Sequence, residues 1–292
     1  MGIDAGGTKL AAGLVGLPSG KILSRKESAS RPQRGGLSVL ADCVALAEAV
    51  AGTESLDGVG LGVPELVSSG VITTNDNWDW RGVDLAGAFA RLAPLSVESD
   101  VRAAALAEAQ LGAGRELGSF VYLTIGTGVS HTFVIDGVPW PGARGNALVV
   151  GAPLVETEAS GPRLAALAGK ARAEDVLSSG TDDAAVDAVT EAIAGELARL
   201  INALDPEAAL IGGGLGLAPA FRERLIEKTR PLIYAERTRE LSIRAAALGR
   251  DAGIVGAALA AHRRGAVLAA DRQGAALGAD RQGAARAAPA EP

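Results

Sequence analysis

An α/β fold with its ligand sites at strand ends is what this sequence predicts, and three observations predict it. Apolar segments of strand character alternate with segments of helical period. Glycine clusters stand directly after several of those strands, at Gly6-Gly7, Gly126-Thr127-Gly128 and Gly212-Gly213-Gly214. The chain runs to 292 residues, which at about 150 residues per domain suggests roughly two domains.

Each element has a local reason. Ile3 to Val15 reads as strand, glycine turn, strand, because apolar residues flank Asp4-Ala5-Gly6-Gly7-Thr8-Lys9. The strand before that turn is short, since the chain begins at Met1, and a missing N-terminal stretch would account for this. Leu37 to Ala51 is helical, with Leu40, Val44, Leu46 and Val50 near the 3.6 period. Val59 to Val63 is a short buried strand ended by Pro64, and Ser68-Ser69-Gly70 is a turn before Val71-Ile72-Thr73. Asn75 to Trp80 is polar and aromatic, hence a loop. Leu95 to Glu98 is a strand leading to Ser99-Asp100, with a helix over Ala103–Leu111. Phe120–Ile125 and Thr132–Ile135 are strands, and Asp136-Gly137 is a hairpin turn. Ala184–Ala203 is a long helix, Ala208–Ile211 a strand, and helices follow at Phe221–Lys228 and Ala252–Ala261. The last thirty residues differ: Ala270-Asp271-Arg272-Gln273-Gly274-Ala275-Ala276 recurs nine residues later. Two short copies do not make a solenoid. The tail reads as low-complexity and disordered, or as an interaction segment.

Composition excludes several function classes. Apolar residues at 48% and charged residues at 21% are those of a globular chain, not a disordered one. A net charge of −6 gives no whole-chain positive field for nucleic acid. The single cysteine, Cys43, excludes an intramolecular disulfide and any multi-cysteine zinc site. With only His131 and His262 as imidazoles, a metal would be held by oxygen, as Mg²⁺ is. No apolar run is long enough for a membrane span. The start lacks a basic region before an apolar stretch, so no signal peptide is expected and a cytoplasmic protein is the default.

The chemistry-bearing residues cluster at strand ends. Gly6 and Gly7 let backbone N–H groups approach phosphate oxygens; Thr8 adds a hydroxyl and Lys9 a charge. Asp4 can hold Mg²⁺ directly or through water. Taken alone, this segment is also a plain hairpin turn. Gly126-Thr127-Gly128 is either a phosphate loop or a turn. Gly212-Gly213-Gly214 is either a nucleotide contact or tight packing. Asp100, between a strand and a helix, is either an N-cap or a catalytic base.

Order and spacing change these readings. Together with Gly60-Leu61-Gly62-Val63-Pro64, Trp80-Arg81-Gly82-Val83-Asp84-Leu85, Glu98-Ser99-Asp100-Val101-Arg102-Ala103-Ala104-Ala105 and Ala252-Gly253-Ile254-Val255-Gly256-Ala257-Ala258, these segments resemble the ROK family (repressors, open reading frames and kinases) from Ile3 to about Ala261. The family lies within the sugar kinase, Hsp70 and actin superfamily. The resemblance implies a two-domain actin-like ATPase fold of ribonuclease H-like type, with an ATP cleft between the domains. It implies units at 1–99 and 100–262, the last helix packing back on the first, and a tail at 263–292. It makes Asp100 the general base of a phosphoryl transfer from Mg-ATP. Asp4, Gly6, Gly7, Thr8, Lys9, Gly126, Thr127, Gly128, Gly212, Gly213 and Gly214 fall on the ATP side. Ser99, Glu156, Asn75, Asn77 and Trp80 fall on the acceptor side. By the same analogy the protein is a homodimer.

The sequence departs from the family where the sugar is held. Ser99 stands in place of Asn. The family's Gly-Glu-hydrophobic-Gly-His becomes Leu148-Val149-Val150-Gly151-Ala152, losing the Glu and the His, and the zinc segment after it is missing. Glu156 retains a carboxylate. A site built on the lost bonds would discriminate strongly against their absence. A kinase for a cyclitol, aminosugar or deoxysugar therefore fits better than one for plain glucose. Rival readings are a non-catalytic ligand sensor or pseudokinase, and a repressor, which would need a DNA-binding segment before Met1. Trp78 and Trp80 wall the acceptor pocket or anchor their loop. His131 lines the cleft or sits at a strand edge, and Cys43 is buried and inert.

Overall fold

The protein is described by a computed structural model over residues 1–147, 159–179 and 183–266. Two five-stranded sheets organise it. In the first, β1 (Gly2–Ala5) pairs antiparallel with β2 (Lys9–Gly16), and β2 with β3 (Lys21–Ala29). After α1 (Gly36–Ala51), β4 (Val59–Val63) pairs parallel with β1. A small hairpin, β5 (Val67–Ser68) and β6 (Val71–Ile72), and a short helix α2 (Leu85–Phe89) lead to β7 (Leu95–Ser99), parallel to β4. The order is β3-β2-β1-β4-β7.

The second sheet repeats this plan. Helix α3 (Asp100–Leu111) leads to β8 (Ser119–Ile125), β9 (Val129–Ile135) and β10 (Val138–Pro139), an antiparallel run. Helices α4 (Gly161–Leu167), α5 (Ala173–Ser179) and α6 (Asp183–Leu204) precede β11 (Ala208–Gly212), which lies parallel to β8. Then come α7 (Gly213–Gly216), α8 (Pro219–Thr229), α9 (Glu236–Arg239) and β12 (Ser242–Ala245), giving the order β10-β9-β8-β11-β12. In each sheet a three-strand meander is followed by two parallel crossover strands.

The cores follow from the apolar pattern. Ile3, Leu10, Val39, Cys43, Ala47, Leu61, Trp78 and Phe89 fill one, between the first sheet and α1. Leu123, Ile193, Leu197, Ile201, Ile211, Phe221 and Leu225 fill the other, between the second sheet and α6 and α8. The central strands β4 and β11 are buried along their whole length, the mark of parallel strands covered on both faces.

The last described helix, α10 (252–266), ties the chain's end to the first sheet. Its backbone lies so close that a Cβ added at Gly2 would sit 1.9 Å from Ile254 O, and one at Gly60 1.8 Å from Ala257 O. Gly256 in turn lies against the Ala103 carbonyl of α3, where a Cβ would meet that oxygen at 1.7 Å. The helix runs to 266, past the boundary at 262 drawn from sequence. Among the described residues no helix is long and apolar enough to cross a membrane.

Candidate active site

Parallel pairing brings the carboxyl ends of β1, β4 and β7 into one row. Asp4 stands opposite Gly62, and Gly62 opposite Glu98. Asp100, two residues on, opens α3, with Ser99 as the N-cap residue. It is therefore at the first helical position, and its Oδ1 accepts from the Val101 N–H at 2.6 Å, which orients the carboxylate.

Both carboxyls are shifted toward the neutral form. Asp100 is pushed up to about 7, first by loss of water and then by the charge of Asp4. Asp4 is pushed up to about 6 by loss of water, against the opposing pull of Lys9 and Arg25. Helix α10 contributes to that desolvation: a Cβ at Gly253 would lie 2.7 Å from Asp4 Oδ2. Asp4, an oxygen ligand with its charge disfavoured by burial, fits a hard divalent cation, whose charge would favour the ionised form of both carboxyls.

The second sheet presents its turns the same way. Gly212 pairs with Thr124, so Gly126-Thr127-Gly128 and Gly212-Gly213-Gly214 end side by side. A Cβ at Gly126 would lie 3.9 Å from Gly214 N. Gly213 has φ 78°, and a Cβ there would meet Ile125 O at 2.3 Å, so only glycine suits this approach. Gly126 O also accepts from the Gly161 N–H at 2.8 Å, seating α4 on the turn.

The two halves meet at these turns. Thr8 Oγ1 lies 3.0 Å from Thr127 Oγ1, a hydrogen bond between residues 119 positions apart. Gly6 and Gly7 belong to the same turn as Thr8, and a Cβ at Gly7 would have nothing within 4 Å. This open, glycine-lined cradle with two hydroxyls and flanking carboxylates suits a polyphosphate chain with its metal. Lys9 is turned aside, its Nζ 3.4 Å from Glu27, which also pairs with Arg25.

The acceptor-side residues fare differently. Asn75 and Asn77 are exposed on their loop, but each side chain holds the backbone: Asn75 Oδ1 accepts from Arg81 N–H at 2.8 Å, and Asn77 Nδ2 donates to Pro64 O at 2.6 Å. Of the two readings of Trp80, acceptor wall or loop anchor, the structure shows the anchor. It is 1% exposed, stacks on Trp78 with ring centroids 5.6 Å apart, and donates from Nε1 to Gly36 O. Ser99 is buried, its Oγ without a hydrogen-bond partner among the described residues. Glu156, and the substitutions at Val149 and Ala152, lie outside the described residues, as does the repeated tail. His131 pairs with Leu123 inside the second sheet, and burial lowers its pKa to about 4. Cys43 is buried, its thiol pushed up to about 12 chiefly by burial, and so unreactive.

Two residues near the site escaped the sequence reading. Glu65, directly after the strand-ending Pro64, gathers the 74–78 loop around its carboxylate. Arg102, on the first turn of α3, is 3% exposed; it pairs with Glu98 and donates to Gly145 O and Val67 O, clamping the loop after β10 to the β5–β6 hairpin. Their one signal in the sequence is a charged residue beside a buried strand or on a helix of small residues.

Known proteins share this arrangement. The sequence pattern of the ROK family matches residues 1–163 and 155–264. A polyphosphate glucokinase of Mycobacterium tuberculosis (strain CDC 1551 / Oshkosh) is 29% identical over 267 residues, covering 89% of each chain. An N-acetylmannosamine kinase of Haemophilus influenzae (strain PittEE) is 28% identical over 292 aligned positions, covering 88% of this chain and 93% of the other. The crystal structure of a ROK family glucokinase from Streptomyces griseus, in complex with glucose and AMPPNP, superposes with a TM-score of 0.79 at 25% identity, covering 90% of this chain and 98% of that one. The fold is thus the actin-like ATPase architecture of these kinases. With the family pattern matched in both halves and the turns it describes meeting across the molecule, this chain belongs to the ROK family.

Proposed function

We propose that the protein is an ATP-dependent kinase that phosphorylates a hydroxyl of a small sugar or sugar-like metabolite, with Asp100 as the general base. The observation that carries this reading is the closure of the Thr8 and Thr127 turns over a row of strand ends that bears Asp4 and Asp100. It supports a reading in which phosphate-binding backbone and a proton acceptor share one site.

Each residue has a task. Mg-ATP, when bound, supplies the phosphoryl group and the charge that balances its transfer. Gly6, Gly7, Thr8, Gly126, Thr127 and Gly128 hold the phosphates, and Gly212 to Gly214 take the nucleoside end. Asp4 holds the metal, directly or through water. Asp100, oriented by Val101 N–H, accepts the proton of the acceptor hydroxyl, and a pKa of about 7 matches that work near neutral pH. Positioning does most of the rest. The two units, 1–99 and 100–262, flank the site, with α10 packed back on the first.

The acceptor class follows from what is lost. Relatives include a glucokinase and an N-acetylmannosamine kinase. With Val149 and Ala152 in place of the family's Glu and His, and Ser99 in place of Asn, a cyclitol, aminosugar or deoxysugar fits better than glucose.

The test is ADP release from Mg-ATP across hexoses, aminosugars, deoxysugars and C7 cyclitols, with inorganic polyphosphate as a second donor read by formation of the phosphorylated acceptor. Turnover on a non-glucose class, lost in Asp100→Asn, is the expected result. Efficient turnover of glucose overturns the acceptor assignment. Silence throughout with nucleotide binding intact favours the sensor reading.

A further inference from the structure

Glu65 has no task in the reaction just described, yet it is 3% exposed. No ion pair meets its carboxylate among the described residues. Instead a single segment surrounds it. Oε2 accepts from Thr74 Oγ1 at 2.5 Å and from Asp76 N–H at 3.0 Å. Oε1 accepts from Asn77 N–H at 2.6 Å and from Trp78 N–H at 2.7 Å. Four donors from five consecutive residues converge on one side chain, so the loop takes its path from Glu65. Thr74 Oγ1 is itself tied to Leu66 N–H, at 3.1 Å.

The bonds continue beyond the loop. Trp78 is buried, and its Nε1 donates to Ala5 O at 3.3 Å. Ala5 ends β1 and immediately precedes Gly6-Gly7. An unbroken path therefore runs from the end of β4, through the loop that carries Asn75 and Asn77, to the turn that holds phosphate. A loop fixed only for stability need not end on that carbonyl.

We propose that Glu65 is a positioning residue for the phosphoryl transfer: it sets the acceptor loop and, through Trp78, holds that loop in register with the phosphate turn. This rests on the kinase reading above. Loss of the carboxylate lets the loop depart from the phosphate turn, so the acceptor is held less well while the nucleotide is held as before.

The full-length chain is compared with Glu65→Gln, Glu65→Ala and Trp78→Phe. Readouts are acceptor KM and kcat, AMPPNP affinity by calorimetry, and near-ultraviolet circular dichroism of the stacked Trp78–Trp80 pair. Glu65→Gln keeps one acceptor oxygen and should raise acceptor KM about tenfold; Glu65→Ala, which strands four donors, should raise it roughly a hundredfold. AMPPNP affinity should stay within about twofold, and Trp78→Phe should reproduce a few-fold part of the KM effect. A folded Glu65→Gln with unchanged KM and unchanged dichroism overturns the proposal, as does an equal loss of acceptor and nucleotide affinity. If Glu65→Ala does not fold, the Gln and Phe variants decide. If the wild-type chain turns over no acceptor, the kinase reading fails first; an unchanged tryptophan signal in Glu65→Gln then overturns this inference separately.

Discussion

The two sheets share one strand order but carry opposite chemistry at their strand ends. In the first, the ends of β1, β4 and β7 carry Asp4, are followed by Pro64-Glu65, and lead through Ser99 into Asp100. In the second, β8 and β11 end in Gly126-Thr127-Gly128 and Gly212-Gly213-Gly214, and β12 ends in alanines. One topology thus provides a carboxylate half and a glycine half. Carboxylates handle protons and metal, and they cost desolvation, visible in the raised pKa values of Asp4 and Asp100. Glycines bring backbone N–H groups close to an anion without adding charge. On the proposed reading, the proton and acceptor work falls to the first half and the nucleoside end to the second, with the phosphates between the Thr8 and Thr127 turns that join them.

The sharpest way to break that division is to exchange one residue in each half. Asp100→Asn should lower kcat about 10³-fold while leaving AMPPNP affinity near wild type, because a general base contributes on that scale. Residual activity within tenfold of wild type would mean that the carboxylate half does not handle the proton. Gly213→Ala should do the reverse. Its φ of 78° and the 2.3 Å approach to Ile125 O strain any side chain, at a cost of about 1–3 kcal/mol. Nucleotide affinity should fall roughly 5- to 150-fold, with acceptor KM little changed. Calorimetry and steady-state kinetics on the same preparations separate the two outcomes.

The pH profile sharpens the same contrast. Asp100 must be ionised to act as base, so kcat/KM should fall about tenfold per unit below pH about 7. Stability runs the opposite way. The folded-state value of about 7 lies above the ordinary 3.8, so the folded protein binds more protons between those values, and its stability falls as pH rises through that window. Asp100→Asn removes this penalty. Its Tm should exceed that of wild type above pH about 7, and the gain should vanish toward pH about 4. A gain independent of pH would point to packing rather than to the carboxylate.

How far the sequence disclosed this division depends on the element. The strands β1, β4, β8 and β11 are apolar and buried, so their periodicity and their glycine or aspartate ends mark them plainly. The strands β3 and β12 are edges with mixed polarity: Lys21–Ala29 is mostly exposed, and Ser242–Ala245 buries only Ile243 fully. Neither makes a clear alternation, and neither was visible. Helix α3 starts at Asp100, three residues before its apolar pattern does, because the first turn is spent on Asp100 and Arg102. On the site, Asp4, Thr8, Asp100 and Thr127 were legible as strand-end chemistry. Glu65 and Arg102 were not, because the partners of Glu65 stand 9 to 13 residues away, those of Arg102 other than Glu98 stand 35 to 43 away, and most are backbone atoms that no side-chain pattern announces. Trp80 stayed open between wall and anchor for a related reason: an aromatic in a polar loop fits both, and only the indole N–H to Gly36 O decides for the anchor.

The smallest effect expected tests the seam between the halves. The Thr8–Thr127 contact is exposed to solvent, so its net worth in the free protein should be about 0.5 kcal/mol, the low end for a hydrogen bond. Thr127→Val should therefore leave Tm almost unchanged. With nucleotide bound, the same hydroxyls face phosphate and lose water, and each should then be worth about 1–1.5 kcal/mol, a roughly five- to tenfold rise in nucleotide KM. The two residues touch, so their effects should not add. If they act as one latch across the sheets, Thr8→Val with Thr127→Val should cost little more than either alone, because the first substitution already opens the seam. Additive losses would instead mean that each hydroxyl serves its own half, and that the division at the strand ends extends to the turns that join them.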